Sequence, residues 1–349
     1  MATADVTILG AGVMGLTTAY CCAVRGARVR VIDPHGVASG ASGGIVGALA
    51  PHTPDLWDEK KQFQFESLIL SRAFWPGVEA ISNLPTGYTN AGRIQPILQE
   101  RHVALAESRR VDAQTNWHGQ ADWDVMSVKS QGDWAPPSPT GQVIKDTLAA
   151  HIHPRQATQS LAVAVQELGG VITTAGARQG RIVDATGWTG LLEMSQQLGV
   201  EVGNGVKGQA ALLDFDAVGR PQLFADGLHV VPHHDNTVAI GSTSERYFKA
   251  PDQPDQQLDD IIARAKRLFP ILADAPVIER WAGVRPRAWS RAPLLGAHPT
   301  QADWFVVNGG FKIGFGMAPK IGHIMADLIL DGVDHIPAGF KFSHMAATK

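Results

Sequence analysis

The first chemistry this chain offers lies in Gly10-Ala11-Gly12-Val13-Met14-Gly15. In this G-x-G-x-x-G spacing the first glycine permits a tight turn and the second lets backbone N–H groups approach a pyrophosphate. The third brings helix close to strand. The pyrophosphate sits on the positive end of the helix that opens at Val13 and Met14. Asp33 stands 18 residues past the last glycine, where a carboxylate accepts hydrogen bonds from ribose hydroxyls. By itself the motif serves NAD or FAD, and a glycine-rich turn that only packs helix on sheet is the structural alternative. Its place at the start of the chain, with the rest of the sequence, favours FAD.

Those glycines work only with a strand before them and a helix after. Val6-Thr7-Ile8-Leu9 is strand-like. Ala11 to Arg25 carries apolar residues at mixed spacings of three and four, as a buried helix does, and Arg28 to Asp33 is a short β-rich run. Further on, Gln62 to Trp75 reads as an amphipathic helix, and a charged helix is expected near Glu100 to Arg110. Ala135-Pro136-Pro137-Ser138-Pro139 is the most linker-like stretch. Gln156 to Leu168 is a helix ended by Gly169-Gly170. Arg181 to Asp184 is a buried strand running into a turn at Ala185-Thr186-Gly187-Trp188. Val206 to Phe215 and Leu228 to Ser242 read as antiparallel strands, Leu258 to Phe269 as a helix, Trp304 to Asn308 as a strand and Ile321 to Leu330 as the last helix. Strand–helix–strand units interleaved with antiparallel strands indicate α/β plus α+β with discontinuous domains.

The bulk properties limit the function classes. The 349 residues suit about two domains, and 44% apolar with 18% charged residues describes a chain that buries a core. A formal charge of −3 and no basic stripe exclude an electrostatic nucleic-acid binder. No apolar run reaches a membrane span, and no charged and apolar leader precedes Val6, so a cytoplasmic location is expected. Cys21 and Cys22 are the only cysteines. Neighbours on a helix do not face each other, so no disulfide is expected. His229, His233 and His234 cluster on a strand and turn with no matching acid or cysteine, so no metal site is assigned.

Seven segments in order resemble the D-amino-acid oxidase/glycine oxidase/sarcosine oxidase family of flavoproteins, over nearly the whole chain. They are the N-terminal fingerprint; Ala38-Ser39-Gly40-Ala41-Ser42-Gly43-Gly44; His153-Pro154 before a helix; Asp184-Ala185-Thr186-Gly187; Val231-Pro232 with Ile240-Gly241-Ser242-Thr243; Trp281-Ala282-Gly283-Val284-Arg285-Pro286 with Pro293-Leu294-Leu295-Gly296; and Asn308-Gly309-Gly310-Phe311-Lys312-Ile313-Gly314-Phe315-Gly316 before Ala318-Pro319. Most are turns when taken singly; the sixth and seventh together are specific. One departure stands out. Only six residues, 175–180, separate Val171-Ile172-Thr173-Thr174 from Arg181, where relatives carry a longer β-excursion that helps hold the adenine end of FAD.

The resemblance implies non-covalent FAD, since no cysteine lies near the C-terminal segment. It places Ser39, Ser42, Gly43 and Gly44 over the pyrophosphate and ring, Thr186 and Gly187 beside the cofactor, and Gly309, Gly310, Phe311, Ile313 and Gly314 against the flavin. Arg285 matches the family's substrate-carboxylate arginine, a planar two-pronged donor; an arginine paired with a core acid is the alternative. Lys312 stands where glycine oxidases carry a second carboxylate-binding arginine, and it either meets substrate or lies at the flavin N1–C2=O edge. Arg287 and Arg291 either add charge or are solvated. His52 either lines the pocket or, as a lone histidine, is structural, and Trp57, Trp75 and Tyr88 either shape the pocket or are simply buried.

The expected architecture is a Rossmann-type FAD-binding domain from residues 1–50, 140–205 and 280–349. A second, mostly antiparallel-sheet substrate domain takes 51–139 and 206–279. The implied reaction oxidises the C–N bond of a small amino acid or N-substituted glycine by hydride transfer to flavin N5. The imine product then becomes a keto or aldehyde acid, and electrons pass to O2 or another acceptor. Three alternatives stay open: a dehydrogenase of the same fold feeding a quinone or partner subunit, a non-catalytic FAD-binding subunit, and an NAD enzyme. Self-association is likewise open.

Overall fold

The computed structural model describes residues 3–343, so the outermost residues of the expected ranges 1–50 and 280–349 lie outside it. Two sheets organise the chain. The six-stranded sheet runs Leu294–Ala297, Trp304–Asn308, Arg181–Asp184, Val6–Leu9, Val29–Ile32, Val171–Thr173. Its last five strands are parallel, and the first pairs antiparallel at the edge. The eight-stranded sheet runs Val277–Ala288, Gly203–Asp214, Thr237–Gly241, Leu228–Pro232, Gln222–Ala225, Arg93–Pro96, Gln142–Asp146, Trp123–Ser127. It is antiparallel except where Gln222–Ala225 meets Arg93–Pro96. This is the expected α/β plus α+β architecture.

Val6, Ile8, Val31 and Val183 share one face of the parallel sheet by register, and all four are buried under helices. Helices Val13–Val24, Pro154–Glu167 and Gly314–Ala326 pack there, with Glu59–Ser82 against the last two. Gly322 lets two of them meet, since a Cβ there would stand 2.6 Å from Thr17 and 2.8 Å from Cys21 Sγ. Cys21 and Cys22 are buried and free of a disulfide. Burial pushes the Cys21 thiol well up and Cys22 to about 12, so both stay protonated.

Several elements depart from the sequence expectations. The helix expected at Gln62 to Trp75 spans Glu59–Ser82 and runs through Pro76. Asp58 starts it by accepting from the Lys61 N–H at 2.8 Å, and Asn83 ends it in the left-handed region at φ 53°. The charged helix spans Arg101–Asn116. Leu228 to Ser242 is a hairpin turning through Asn236 at φ 63°. Gly187–Leu198 is a helix, not only a turn. The last helix begins at Gly314, seven residues before the expected Ile321. The linker-like stretch joins two neighbouring strands of one sheet. Sheet membership also cuts across the expected domain ranges. Gln142–Asp146 and all of Val277–Ala288 belong to the eight-stranded sheet, because the latter strand pairs with Gly203–Asp214 along its length. Among the described residues, no helix is long and apolar enough to cross a membrane.

Candidate active site

One cavity of about 1300 Å³ lies between the two sheets, larger than the roughly 300–1,000 Å³ of ordinary ligand pockets. On one side it meets the carboxyl ends of the parallel strands, at Leu9-Gly10, Ile32-Asp33, Thr174, Ala185-Thr186 and Val307-Asn308. That is where open α/β sheets bind ligands. On the other side it meets the antiparallel sheet at Ala210, Phe224, His229, Trp281 and Arg285.

The cradle follows from the glycines. Gly10 holds φ +106°, and a Cβ on it would lie 2.3 Å from the Ala185 carbonyl oxygen; a Cβ on Gly15 would lie 2.1 Å from the Gly10 carbonyl oxygen. These two close the turn and seat helix on strand. Gly12 differs, since a Cβ there would meet only the Ser42 side chain, its Oγ at 3.1 Å, which leaves the helix start open to the cavity. Ser42 Oγ accepts from Val13 N–H at 2.9 Å, capping one donor of that first turn. Asp33 shapes the turn as well as lining the cavity. Its carboxylate accepts from Ala11 N–H at 2.8 Å and His35 N–H at 2.9 Å. These features fit a dinucleotide pyrophosphate at the helix end with a ribose near Asp33.

Of the residues singled out from sequence, Gly10, Gly12, Val13, Met14, Asp33, Ser39, Ser42, Gly44, Thr186, Gly187, Arg285, Gly310, Lys312, Ile313 and Gly314 line this cavity. Gly15, Gly43, Gly309 and Phe311 do not. The three glycines are packing positions: a Cβ on Gly43 would meet the Ala38 carbonyl oxygen at 2.2 Å, and one on Gly309 the Ala288 Cβ at 2.6 Å. Phe311 instead faces cations. Its ring centroid lies 5.6 Å from Arg285 Cζ, 5.9 Å from Arg287 Cζ and 5.7 Å from Lys312 Nζ. His52 lines the cavity while its backbone N–H donates to Gln64 at 2.7 Å. Trp57, Trp75 and Tyr88 pack with the core and do not line it. The short 175–180 segment still reaches the cavity, through Ala175, Gly176 and Arg178.

Arg285 is set by its strand. It pairs in register with Val206, and its guanidinium crosses the neighbouring strand at Gly208, where a Cβ would stand 2.1 Å from Nη2. Nη1 donates to Ser242 Oγ at 2.9 Å; Nη2 donates to the Thr243 carbonyl at 2.6 Å and the Lys207 carbonyl at 3.2 Å. Nε finds no partner. No carboxylate pairs with Arg285 among the described residues, and burial lowers its guanidinium to about 10, still charged at neutral pH. Lys312 opens onto the same cavity and holds a left-handed backbone at φ 59°. Burial and the Arg285 charge lower its ammonium. His229 is buried and held neutral, pushed down to about 3 by burial and then by Arg93 and Lys312.

The sequence reading missed Phe224 and the Lys207–Glu245 pair, and it listed Ser242 without a role. Phe224 and Ser242 line the cavity, and no local pattern marks them. Gly208, a glycine within a strand, was the one available signal of a close approach.

A model of the DAO family, FAD dependent oxidoreductase, matches residues 5–328. Among curated proteins, bifunctional protein ThiO/ThiG of Synechocystis sp. is 28% identical over 94% of this chain; the chain spans 52% of that protein, about half its length. Glycine oxidase of Pseudomonas aeruginosa is 26% identical, matching 96% of this chain and 98% of that protein. Among solved structures, glycine oxidase from Geobacillus kaustophilus superposes with a TM-score of 0.83 at 20% identity, covering 97% of this chain and 98% of that one. That last likeness concerns the fold.

Proposed function

Because the chain belongs to the DAO family of FAD-dependent oxidoreductases, we propose that it holds FAD non-covalently and oxidises the C–N bond of a small amino acid or N-substituted glycine. The observation that carries this reading is Arg285, a part-buried cation with no carboxylate partner and no Nε–H partner among the described residues, in the wall of the cavity that the dinucleotide cradle opens onto. A fixed guanidinium in that position suits a substrate carboxylate. Relatives named glycine oxidase agree with the substrate class.

When bound, the flavin supplies the two-electron sink that receives the Cα hydride. The chain's own residues do the rest. Arg285 fixes the carboxylate end, so the Cα–H has one orientation. The charges of Arg285 and Lys312 disfavour a third cation beside them, which lowers the substrate ammonium and favours the free amine. His229, neutral across the physiological range, adds no charge. Phe224, Trp281 and Val46 make much of the remaining wall apolar and keep water from the reacting carbon. The amine nitrogen lone pair forms the C=N bond as the hydride leaves, and addition of water to the imine releases ammonia or an amine together with the keto or aldehyde acid; the bound cofactor would pass its electrons to O2 or another acceptor.

The test is an anaerobic visible spectrum of FAD-loaded protein mixed with D-amino acids, glycine, sarcosine and L-proline. Bleaching of the oxidised flavin bands is expected with at least one of them. Bands that persist with every amine overturn amine oxidation, and protein that takes up no flavin overturns the cofactor assignment.

A further inference from the structure

Arg285 is seated on three uncharged acceptors. It donates to Ser242 Oγ at 2.9 Å and to the carbonyls of Thr243 at 2.6 Å and Lys207 at 3.2 Å. A carboxylate seat would hold it more firmly, but would also neutralise the charge offered to a substrate. Two backbone carbonyls therefore have to be kept aimed at one guanidinium.

Thr243 keeps its carbonyl free by an exchange of partners. Ala210 pairs with Gly241 in register. One residue further on, the Gln209 N–H donates to Thr243 Oγ1 at 2.9 Å. The hydroxyl takes the acceptor place that a carbonyl holds along a ladder, and the Thr243 carbonyl is left to Arg285. The same hydroxyl donates to the Glu245 carboxylate. Glu245 is fixed in turn by the Gln209 amide at 2.9 Å, and it exchanges both backbone hydrogen bonds with Lys207 at 2.9 Å. Gln209 also donates to the Asp255 carboxylate at 2.8 Å and accepts from the Asp255 N–H at 2.8 Å. A fully buried amide thus commits both of its N–H groups and its oxygen to this network.

Lys207, Gln209, Thr243 and Glu245 are all buried. Ser242 and Arg285 line the cavity, whereas these four stand behind its wall. The network sets two carboxylates, Glu245 and Asp255, against the one ammonium of Lys207. Glu245 favours the charged form of Arg285 without touching its Nε–H, which has no partner among the described residues.

Resting on the carboxylate role proposed for Arg285, we infer that Thr243 is a positioning residue. Its hydroxyl, held between the Gln209 N–H and Glu245, fixes the carbonyl that orients Arg285 toward the substrate carboxylate. The role lies in the hydroxyl and not in the bulk of the side chain. Without it, the Gln209 N–H and Glu245 each lose a partner in a buried place, at a cost large enough to shift the peptide that seats Arg285. The dinucleotide cradle belongs to the other sheet and does not feel the change.

The test uses acetate, which cannot be oxidised as an amine. It is titrated onto the FAD-loaded full chain, and binding is read from the flavin absorbance change. Thr243→Val keeps the shape and removes the hydroxyl, and acetate should bind about tenfold more weakly, the scale of one hydrogen bond to a charged group. FAD affinity should stay within about twofold. Thr243→Ser, which restores the hydroxyl, should recover most of the acetate affinity. Thr243→Ala, which only removes atoms, should repeat the loss and serves if the valine variant does not fold. Hydroxyl-free variants that bind acetate within about threefold of the unaltered protein overturn the inference. An equal loss in Thr243→Ser overturns it too, since packing would then be the cause. So does a loss of FAD affinity in step with that of acetate, which marks general damage. An unaltered protein that takes up FAD but binds no acetate overturns the carboxylate role of Arg285 itself, and the inference with it.

Discussion

The ammonium of Lys207 lies 3.7 Å from the Glu245 carboxylate, with both side chains almost wholly buried. The backbone carbonyl of the same lysine accepts from Arg285 at 3.2 Å. Glu245 also accepts from Thr243, whose carbonyl receives the shortest Arg285 hydrogen bond, at 2.6 Å. An ion pair on the far side of the strand thus underlies the two carbonyls that seat the Arg285 guanidinium.

Breaking that pair should cost stability. Glu245→Gln leaves Lys207 with Asp255 alone, which is 45% exposed. Removing one partner of a buried pair costs roughly 3–5 kcal/mol, and the remaining acid should keep the loss near the low end. The double variant Lys207→Met/Glu245→Gln should recover most of it, since no buried charge is left unpaired and the half-exposed Asp255 is solvated. Urea unfolding of the three proteins measures this. A single variant as stable as the parent would show that the pair contributes nothing.

Arg285 can be displaced without being removed. In Gly208→Ala the new methyl would occupy the place of Nη2, and the guanidinium, at the end of a flexible side chain, has to move. The protein should fold, yet lose about ten- to a hundredfold in kcat/KM for carboxylate-bearing amines, the scale of one or two charge-assisted hydrogen bonds. Arg285→Ala should lose at least as much. Steady-state kinetics on an amine with and without a carboxylate separates a binding defect from general damage, and an equal loss on both would count against the assignment.

The glycines of the cradle should divide by role. Gly15→Ala drives a methyl into the Gly10 carbonyl and should abolish soluble, folded protein. Gly12→Ala meets only the Ser42 hydroxyl, so the apoprotein should keep its Tm while FAD affinity drops about tenfold or more as the backbone loses its close approach. Thermal melts of apoprotein and a flavin-binding titration decide the matter; two variants with the same defect would refute the division.

Acid should unfold this protein through its buried histidines. Burial holds His151 at about 4 and His229 and His233 at about 3. His233 Nε2 lies 3.0 Å from the Ile45 carbonyl, as a neutral ring would. Above about pH 6.5, the ordinary histidine value, these groups are neutral both folded and unfolded and make no difference. As pH falls below it, the unfolded chain takes up protons that the folded one refuses. Stability should therefore decline by on the order of 1.4 kcal/mol per pH unit per histidine until the folded values are reached. Urea midpoints between pH 7 and 4 test this, and His233→Gln should flatten the slope. A midpoint independent of pH over that range would contradict it.

The sequence by itself determined the dinucleotide unit. Strand, glycine turn, helix, second strand and Asp33 are contiguous, and each rests on local causes: side-chain periodicity, the conformational freedom of Gly10 and the open start of the Val13–Val24 helix. It also carried the order of the segments and, through them, the family, with Arg285 as the candidate carboxylate-binding residue. Local signals failed where distant parts overrode them. Pro76 is carried inside a helix capped by Asp58 and Asn83, and the turn at Gly187 continues as a helix. Only the tertiary structure decided what surrounds Arg285. Lys207, Gly208, Ser242, Thr243 and Glu245 reach it from other strands through the pairing of Val206 with Arg285 and of Lys207 with Glu245. Sheet register is set by which faces pack and where neighbouring strands begin, and no window of the chain contains that information. The gathering of three cations on Phe311 has the same origin, because residues far apart in sequence become neighbours only when the strand Val277–Ala288 is laid beside the loop at Gly310.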